Sequence, residues 1–246
     1  MTGSSRGLGR AIATRFAAAG DRVAVHHRDS AALAEQLVAG LPGEGHVVVR
    51  ADMADAGAVR AMVDDAARHL GGLDVLVNNA GVFGGVDRPH PVFDTGYDEW
   101  QQMWRRTFDV NVFGAANAAW AAAQHMRDRG GRIVNVSSRG AFRGEPDQPA
   151  YGASKAALNA MGQSLAVALA PYRIAVASVA PGFVATDMTN EHLKAERGDA
   201  IRAQSPFHRV AQPEEIAGAV FWLASPEAEW ASGTIVDLNG ASYLRT

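Results

Sequence analysis

Six short runs of apolar, β-branched residues recur along the chain, at 22–26 (RVAVH), 46–50 (HVVVR), 73–77 (LDVLV), 132–136 (RIVNV), 173–179 (RIAVASV) and 234–238 (TIVDL). Alanine-rich stretches with helical spacing separate them, near 7–19, 30–39, 56–70, 98–128, 151–170 and 213–223. Runs without polar alternation belong to strands buried on both faces. The order therefore reads as βαβ units, an α/β fold with a doubly wound parallel sheet and helices on both sides. Its crossovers are expected to be right-handed. No linker or charge block divides the 246 residues, which predicts one domain over 1–246. Weak strand signal and mixed polarity at 183–208 predict a flap of helical turns over a site.

Three stretches at predicted strand or helix ends carry chemistry. Thr2-Gly3-Ser4-Ser5-Arg6-Gly7-Leu8-Gly9 opens the first helix with glycines spaced G-x-x-x-G-x-G. Such a turn lets the backbone approach a pyrophosphate, and the helix start offers free N–H groups. It lacks the Gly-Lys-Ser/Thr ending of a P-loop. Asn78-Asn79-Ala80-Gly81 follows the third run, where open α/β sheets bind ligands. Either stretch alone is also an ordinary turn. In Tyr151-Gly152-Ala153-Ser154-Lys155 the tyrosine and lysine are one helical turn apart and share a face. An ammonium beside a phenol lowers the phenol's pKa from about 10 and makes it a proton donor and acceptor. YxxxK by itself is common on exposed helices.

Together, in order and spacing, these stretches resemble the short-chain dehydrogenase/reductase family. TGSSRGLG, Asp52, NNAG, Asn111 within Val110-Asn111-Val112, Ser138, YGASK and Pro181-Gly182-Phe183-Val184-Ala185-Thr186 carry the resemblance, from Thr2 to about Gly240. It implies a Rossmann-like NAD(P)-binding domain and an enzyme that interconverts a carbonyl and a secondary alcohol. Tyr151 would give the proton, Ser138 would hydrogen-bond the reacting oxygen, and Lys155 would lower the tyrosine pKa and hold the nicotinamide ribose. Asn111 would maintain a water link to Lys155. The resemblance also implies cofactor contacts from Gly3, Ser5, Arg6, Gly7, Leu8 and Gly9, from His27 and Arg28, from Asp52 (adenine) and Met53, and from Asn79, Ala80 and Gly81. Pro181, Gly182 and Val184 would also contact the cofactor, and Thr186 would meet its carboxamide or pyrophosphate side. The helix carrying Trp100, Trp104 and Trp120, with the Tyr151 helix, implies a homo-oligomer, a dimer or tetramer.

At the end of the second strand, an acidic residue would grip a ribose 2′-hydroxyl and arginine a 2′-phosphate. Here the position is His27, followed by Arg28, with Arg6 in the glycine loop. Two guanidinium groups clamp a phosphate and no carboxylate competes, so NADP(H) is expected over NAD(H). A 3-oxoacyl-carrier-protein reductase is the alternative, with Arg129 and Arg173 facing an acidic carrier. A non-catalytic NADP(H)-binding sensor is a third reading. The substrate is expected to be a small carbonyl or alcohol compound met by loops at 82–91, 140–149 and 183–208.

A net charge of −3 gives no general attraction to nucleic acid or anionic membrane. Zero cysteines exclude disulfides and thiolate metal sites and make a reducing cytoplasm the expected compartment. His26 and His27, adjacent on a strand, face opposite ways, and no metal is expected. One feature is discordant. The glycine turn needs a strand before it, in the middle of the sheet, and only Met1 precedes Thr2. The expectation is that this first strand is missing and that the native chain begins several residues earlier, at a valine codon read as a start.

Overall fold

The computed structural model describes residues 1–83, 89–186 and 197–245. The six apolar runs form β1 (Ala24–His27), β2 (Val47–Arg50), β3 (Val75–Asn78), β4 (Gly131–Val136), β5 (Ile174–Pro181) and β6 (Ile235–Leu238). Every pairing is parallel. Between them lie α1 (Gly7–Ala17), α2 (Ala31–Gly40), α3 (Ala56–Leu70), α4 (Tyr97–Phe108), α5 (Ala115–Met126), α6 (Gly140–Arg143), α7 (Pro149–Leu169), α8 (Arg197–Arg202) and α9 (Pro213–Leu223).

Each buried strand alternates its side chains between two apolar layers. Val25, Val77, Val134 and Val179 meet Ile12 and Phe16 of α1 and Val220 and Leu223 of α9. Leu76, Ile133 and Val176 meet Val59, Met62 and Val63 of α3 and Ala118 and Ala122 of α5. The buried face of α5 is built mainly of alanine: Ala115, Ala118, Ala119, Ala121 and Ala122. The sequence reads 98–128 as one helix, but α4 and α5 are joined by a π-helical turn over Asp109–Gly114. The turn puts Gly114 against Met53, where an added Cβ would lie 2.5 Å from the Met53 carbonyl oxygen. Of the expected flap, α8 and its flanks are seen, and 187–196 lie outside the described residues.

The sheet is interrupted. β1 pairs with β2, and β3-β4-β5-β6 form a second piece. Val23 and His27 accept from the β2 side, so Ala24 and His26 present their backbone groups toward β3. Asp74 accepts from Arg132 of β4, so Val75 and Val77 present theirs toward β1. Residues 1–4 bridge the two pieces at the carboxyl end. The Met1 amino group donates to the Ala24 carbonyl (3.0 Å), Ser4 N–H to His26 (3.0 Å) and Thr2 N–H to Val77 (3.0 Å). Among the described residues no strand pairs with either edge beyond these bonds, and a cavity of about 290 Å³ lies there, floored by Phe16, Met62, Ala66 and Leu70.

Candidate active site

The loop between Met1 and α1 is shaped by two glycines. Gly3 takes φ +61° with its Cα face against Ala80, and a Cβ on Gly9 would collide with the Gly3 carbonyl oxygen and reach within 2.6 Å of Asn79 Nδ2. Asn79 is the cross-tie. Its side-chain amide donates to the carbonyls of Thr2 (3.0 Å) and Gly3 (2.9 Å). Thr2 Oγ1 accepts from the N–H groups of Asn79 and Ala80, each at 3.0 Å. Arg6 is extended at the N-cap and no side chain caps α1, so its first N–H groups face the crevice. Thr186 packs against Gly7, its Cβ 3.6 Å from where a Cβ would stand. Val184 is buried and bridges to Ala211, and Gly182 donates to Leu238. Pro181, at the end of β5, accepts from Arg139 N–H.

His26 belongs to this loop, a role not foreseen from the sequence, which weighed it only as a metal ligand. Its Nδ1 accepts from Gly3 N–H (2.8 Å) and its Nε2 lies 3.1 Å from the Ala51 carbonyl. A carbonyl can only accept, so Nε2 carries the hydrogen and the ring is neutral. Burial pushes its pKa down to about 4 from 6.5. Between those values the native state binds fewer protons than the unfolded chain. Stability is therefore expected to fall by about 3 kcal/mol as pH drops from 6.5 to 4. Urea unfolding across this range should show the loss, and His26→Gln should flatten it; an equal slope in the variant would assign the effect elsewhere.

At the adenosine end the structure corrects one expectation. A carboxylate does compete: Arg28 is ion-paired with Asp29, and this pair holds the guanidinium pKa up. His27 is buried with Nδ1 lacking a partner, Arg6 is exposed, and the Met53 side chain is buried in the α3/α5 layer. Asp52 Oδ1 accepts from Ala54 N–H (3.0 Å).

The side chains expected to carry the chemistry converge at the carboxyl ends of β3 and β4. Tyr151, near the start of α7, is half-buried, hydrogen-bonded to Ser138, and packs edge-on against Phe83 at 4.8 Å. Ser138 Oγ also accepts from Gly140 N–H (3.0 Å). Ser137 instead turns its hydroxyl to the Lys155 carbonyl (3.2 Å). Lys155 Nζ donates to the Val136 carbonyl (2.8 Å) and lies 5.8 Å from the Tyr151 ring centre. Burial pushes its pKa down to about 8. The sequence expectation was an ammonium-lowered phenol. In the structure burial acts first and pushes Tyr151 up to about 12, the Ser138 bond opposes this, and the nearby Glu145 carboxylate adds to it. The phenol is thus neutral at pH 7 and poised to give a proton rather than hold a charge.

Asn111 sits in the π-helical turn. Its Oδ1 accepts from Val82 N–H (2.7 Å), and its Nδ2 donates to the Val82 carbonyl and Ser154 Oγ, each at 3.0 Å. It fixes the strand β3 exit over α7. An added Cβ on Gly81 would come 3.3 Å from Asn111 Oδ1 and 3.4 Å from Lys155 Nζ, so the loop, the turn and α7 meet at one point. The cradle of Gly3, Gly9 and Gly81, with the open start of α1 above and Lys155 below, fits an elongated ligand with a pyrophosphate in its middle.

Comparison with known proteins agrees with this geometry. The family described as enoyl-(acyl carrier protein) reductase matches residues 3–240. The 3-oxoacyl-[acyl-carrier-protein] reductase FabG of Staphylococcus aureus is 36% identical over 247 residues, 99% of this chain and 97% of that one. A short chain dehydrogenase from Burkholderia cenocepacia, solved in complex with NADP, superposes with a TM-score of 0.86 at 37% identity over 98% of this chain and 95% of that one. A 3-ketoacyl-(acyl-carrier-protein) reductase from Brucella melitensis complexed with NADH gives a TM-score of 0.87 at 29% identity, covering 99% and 96%.

Proposed function

The chain belongs to the short-chain dehydrogenase/reductase family, and from that membership we propose that it interconverts a carbonyl and a secondary alcohol with NADP(H) as the preferred dinucleotide. The observation that carries the reading is the Ser138–Tyr151 hydrogen bond with the buried Lys155 beside it and the glycine cradle next to both. The dinucleotide, when bound, supplies the hydride. The protein holds and delivers the proton. Ser138 and the Tyr151 hydroxyl converge on one point, where an oxygen gaining negative charge is met by two fixed donors. Lys155, anchored on Val136, would hold the ribose, and Gly3, Gly7 and Gly9 the pyrophosphate. Asn111, held by Val82 and Ser154, keeps the groove between Gly81 and Lys155 open.

Support for NADP(H) comes from Arg6 and Arg28 flanking the loop without an acidic residue at His27, and from the Burkholderia relative solved with NADP. The Brucella relative, solved with NADH, shows that this family likeness accommodates both. Arg28→Asp and Arg6→Ala are each expected to lower the ratio of NADPH to NADH kcat/KM by about tenfold, the cost of a lost charge-assisted phosphate contact. Because Asp29 already holds Arg28, Asp29→Ala should move the ratio the other way. Unchanged ratios in all three would dismiss the clamp.

A homo-oligomer is part of this proposal. Phe113, Trp120 and Val167 are exposed along the α4–α5 and α7 helices, an apolar strip suited to a second copy. Among the described residues no helix is long and apolar enough to cross a membrane. For the carrier-protein alternative, Arg129 and Arg173 stand at the amino ends of β4 and β5. One pairs loosely with Asp74 and the other donates to the Asp128 carbonyl. They are a strand length, about 20 Å, from Ser138 of the same chain, so they favour no carrier on their own.

A further inference from the structure

Arg139 directly follows Ser138 and is 4% exposed. Its side chain lines a second cavity of about 270 Å³ with Phe183, Gln204, Phe207 and Ser242. Its Nη1 donates to Ser242 Oγ (2.6 Å) and its Nη2 to Gln204 Oε1 (2.9 Å), over the face of Phe183 at 5.3 Å. Arg143, one turn on, donates to the same Gln204 oxygen (2.8 Å). Among the described residues, neither guanidinium forms an ion pair. Glu145 attracts both from farther off and is itself held protonated more readily by burial.

A buried cation with neutral partners is costly, and desolvation and Arg143 both push the Arg139 pKa down. Two planar guanidinium forks aimed at one oxygen suit an oxyanion, which offers charge and several lone pairs. The amide oxygen of Gln204 offers the shape without the charge. We propose that Arg139 and Arg143 form a seat for an oxyanion, a carboxylate or phosphate borne by the carbonyl substrate, with Gln204 as its neutral placeholder. The assignment rests on the reading of Ser138 and Tyr151 as the reacting pair. It narrows the substrate to a carbonyl compound that also bears an anionic group.

The test uses the NADPH-loaded full chain, its Gln204→Glu variant, which supplies the anion internally, and Arg139→Met, which removes the cation at similar volume. In the first arm, calorimetric titration with malonate and with inorganic phosphate should show binding to the parent protein. That affinity should weaken by about tenfold or more in both variants. In the second, kcat/KM is compared for straight-chain oxo acids and their methyl esters. The parent should favour the acid by about ten- to hundredfold, and the preference should vanish in Gln204→Glu. Turnover with an acid-to-ester ratio unchanged in that variant overturns the seat and leaves carbonyl reduction standing. Malonate binding lost in the variant, with no carbonyl compound reduced, sustains the oxyanion seat and overturns both the reduction reading and the substrate assignment. Free-anion binding without any acid preference rejects the substrate-borne assignment.

Discussion

Replacing Tyr151 with Phe is expected to lower carbonyl reduction by about 10²- to 10⁴-fold, the range for removing a positioned general acid. Hydride reaching the carbonyl carbon leaves an alkoxide that must be protonated in place. In the proposed mechanism the phenol is that acid: desolvation keeps it neutral, with its pKa pushed up to about 12, and Ser138 hydrogen-bonds its hydroxyl. Phenylalanine keeps the ring and the edge-on packing, so the fold and the glycine cradle should be unaffected. NADPH consumption measured beside a fluorescence titration of NADPH binding separates the two effects. A variant with parental turnover would move the acid role to another group. A variant that loses cofactor binding as well would make Tyr151 a structural residue. For a pure NADP(H) sensor the substitution should change nothing that binding reports.

The second large effect concerns the interrupted sheet. Fusing a five-residue β-branched segment ahead of Met1 is expected to raise Tm by about 10 °C. Filling about 290 Å³ of cavity at about 24 cal/mol per Å³ is worth roughly 7 kcal/mol. Ordering five residues at about 1 to 2 kcal/mol each costs about 5 to 10 kcal/mol and offsets that gain. The remaining gain comes from the N–H groups of Ala24 and Val77 and the backbone groups of Val75, which face the gap while the Ala24 and Val77 carbonyls are already taken by Met1 and Thr2, each worth about 1 to 3 kcal/mol when a buried group finds its partner. A net of a few kcal/mol corresponds to about 10 °C in a chain of this size. A glycine-serine segment of equal length is the control, since it supplies N–H and C=O groups but no β-branched side chains for the floor. Equal Tm values for both fusions and the parent would show that the edges are satisfied otherwise.

Much of the scaffold was legible because it depends on local periodicity. The limits of α3 and α9 match the apolar spacing at 56–70 and 213–223, and each strand lies within two residues of its run. The π-helical turn at Asp109–Gly114 was not legible, because it is set by the approach of Gly114 to Met53, 61 positions away. The residues of the site were legible as types, through spacing. Their electrostatics were not, since the pattern Tyr-x-x-x-Lys conveys nearness but not burial, and burial governs both groups. His26, Arg139 and Gln204 escaped for a common reason. Each works through a partner 23 to 65 positions distant, and nothing local marks a histidine as a loop clasp or a glutamine as a stand-in for an anion.

The bridge made by residues 1–4 has a consequence for how the molecule opens. Met1, Thr2 and Ser4 stitch one piece of sheet to the other, and the same few residues begin the glycine turn proposed to hold the pyrophosphate. A dinucleotide seated there fastens a seam. Its mass-action stabilisation should thus be concentrated at the joint, slowing amide exchange and proteolysis between the halves more than within either.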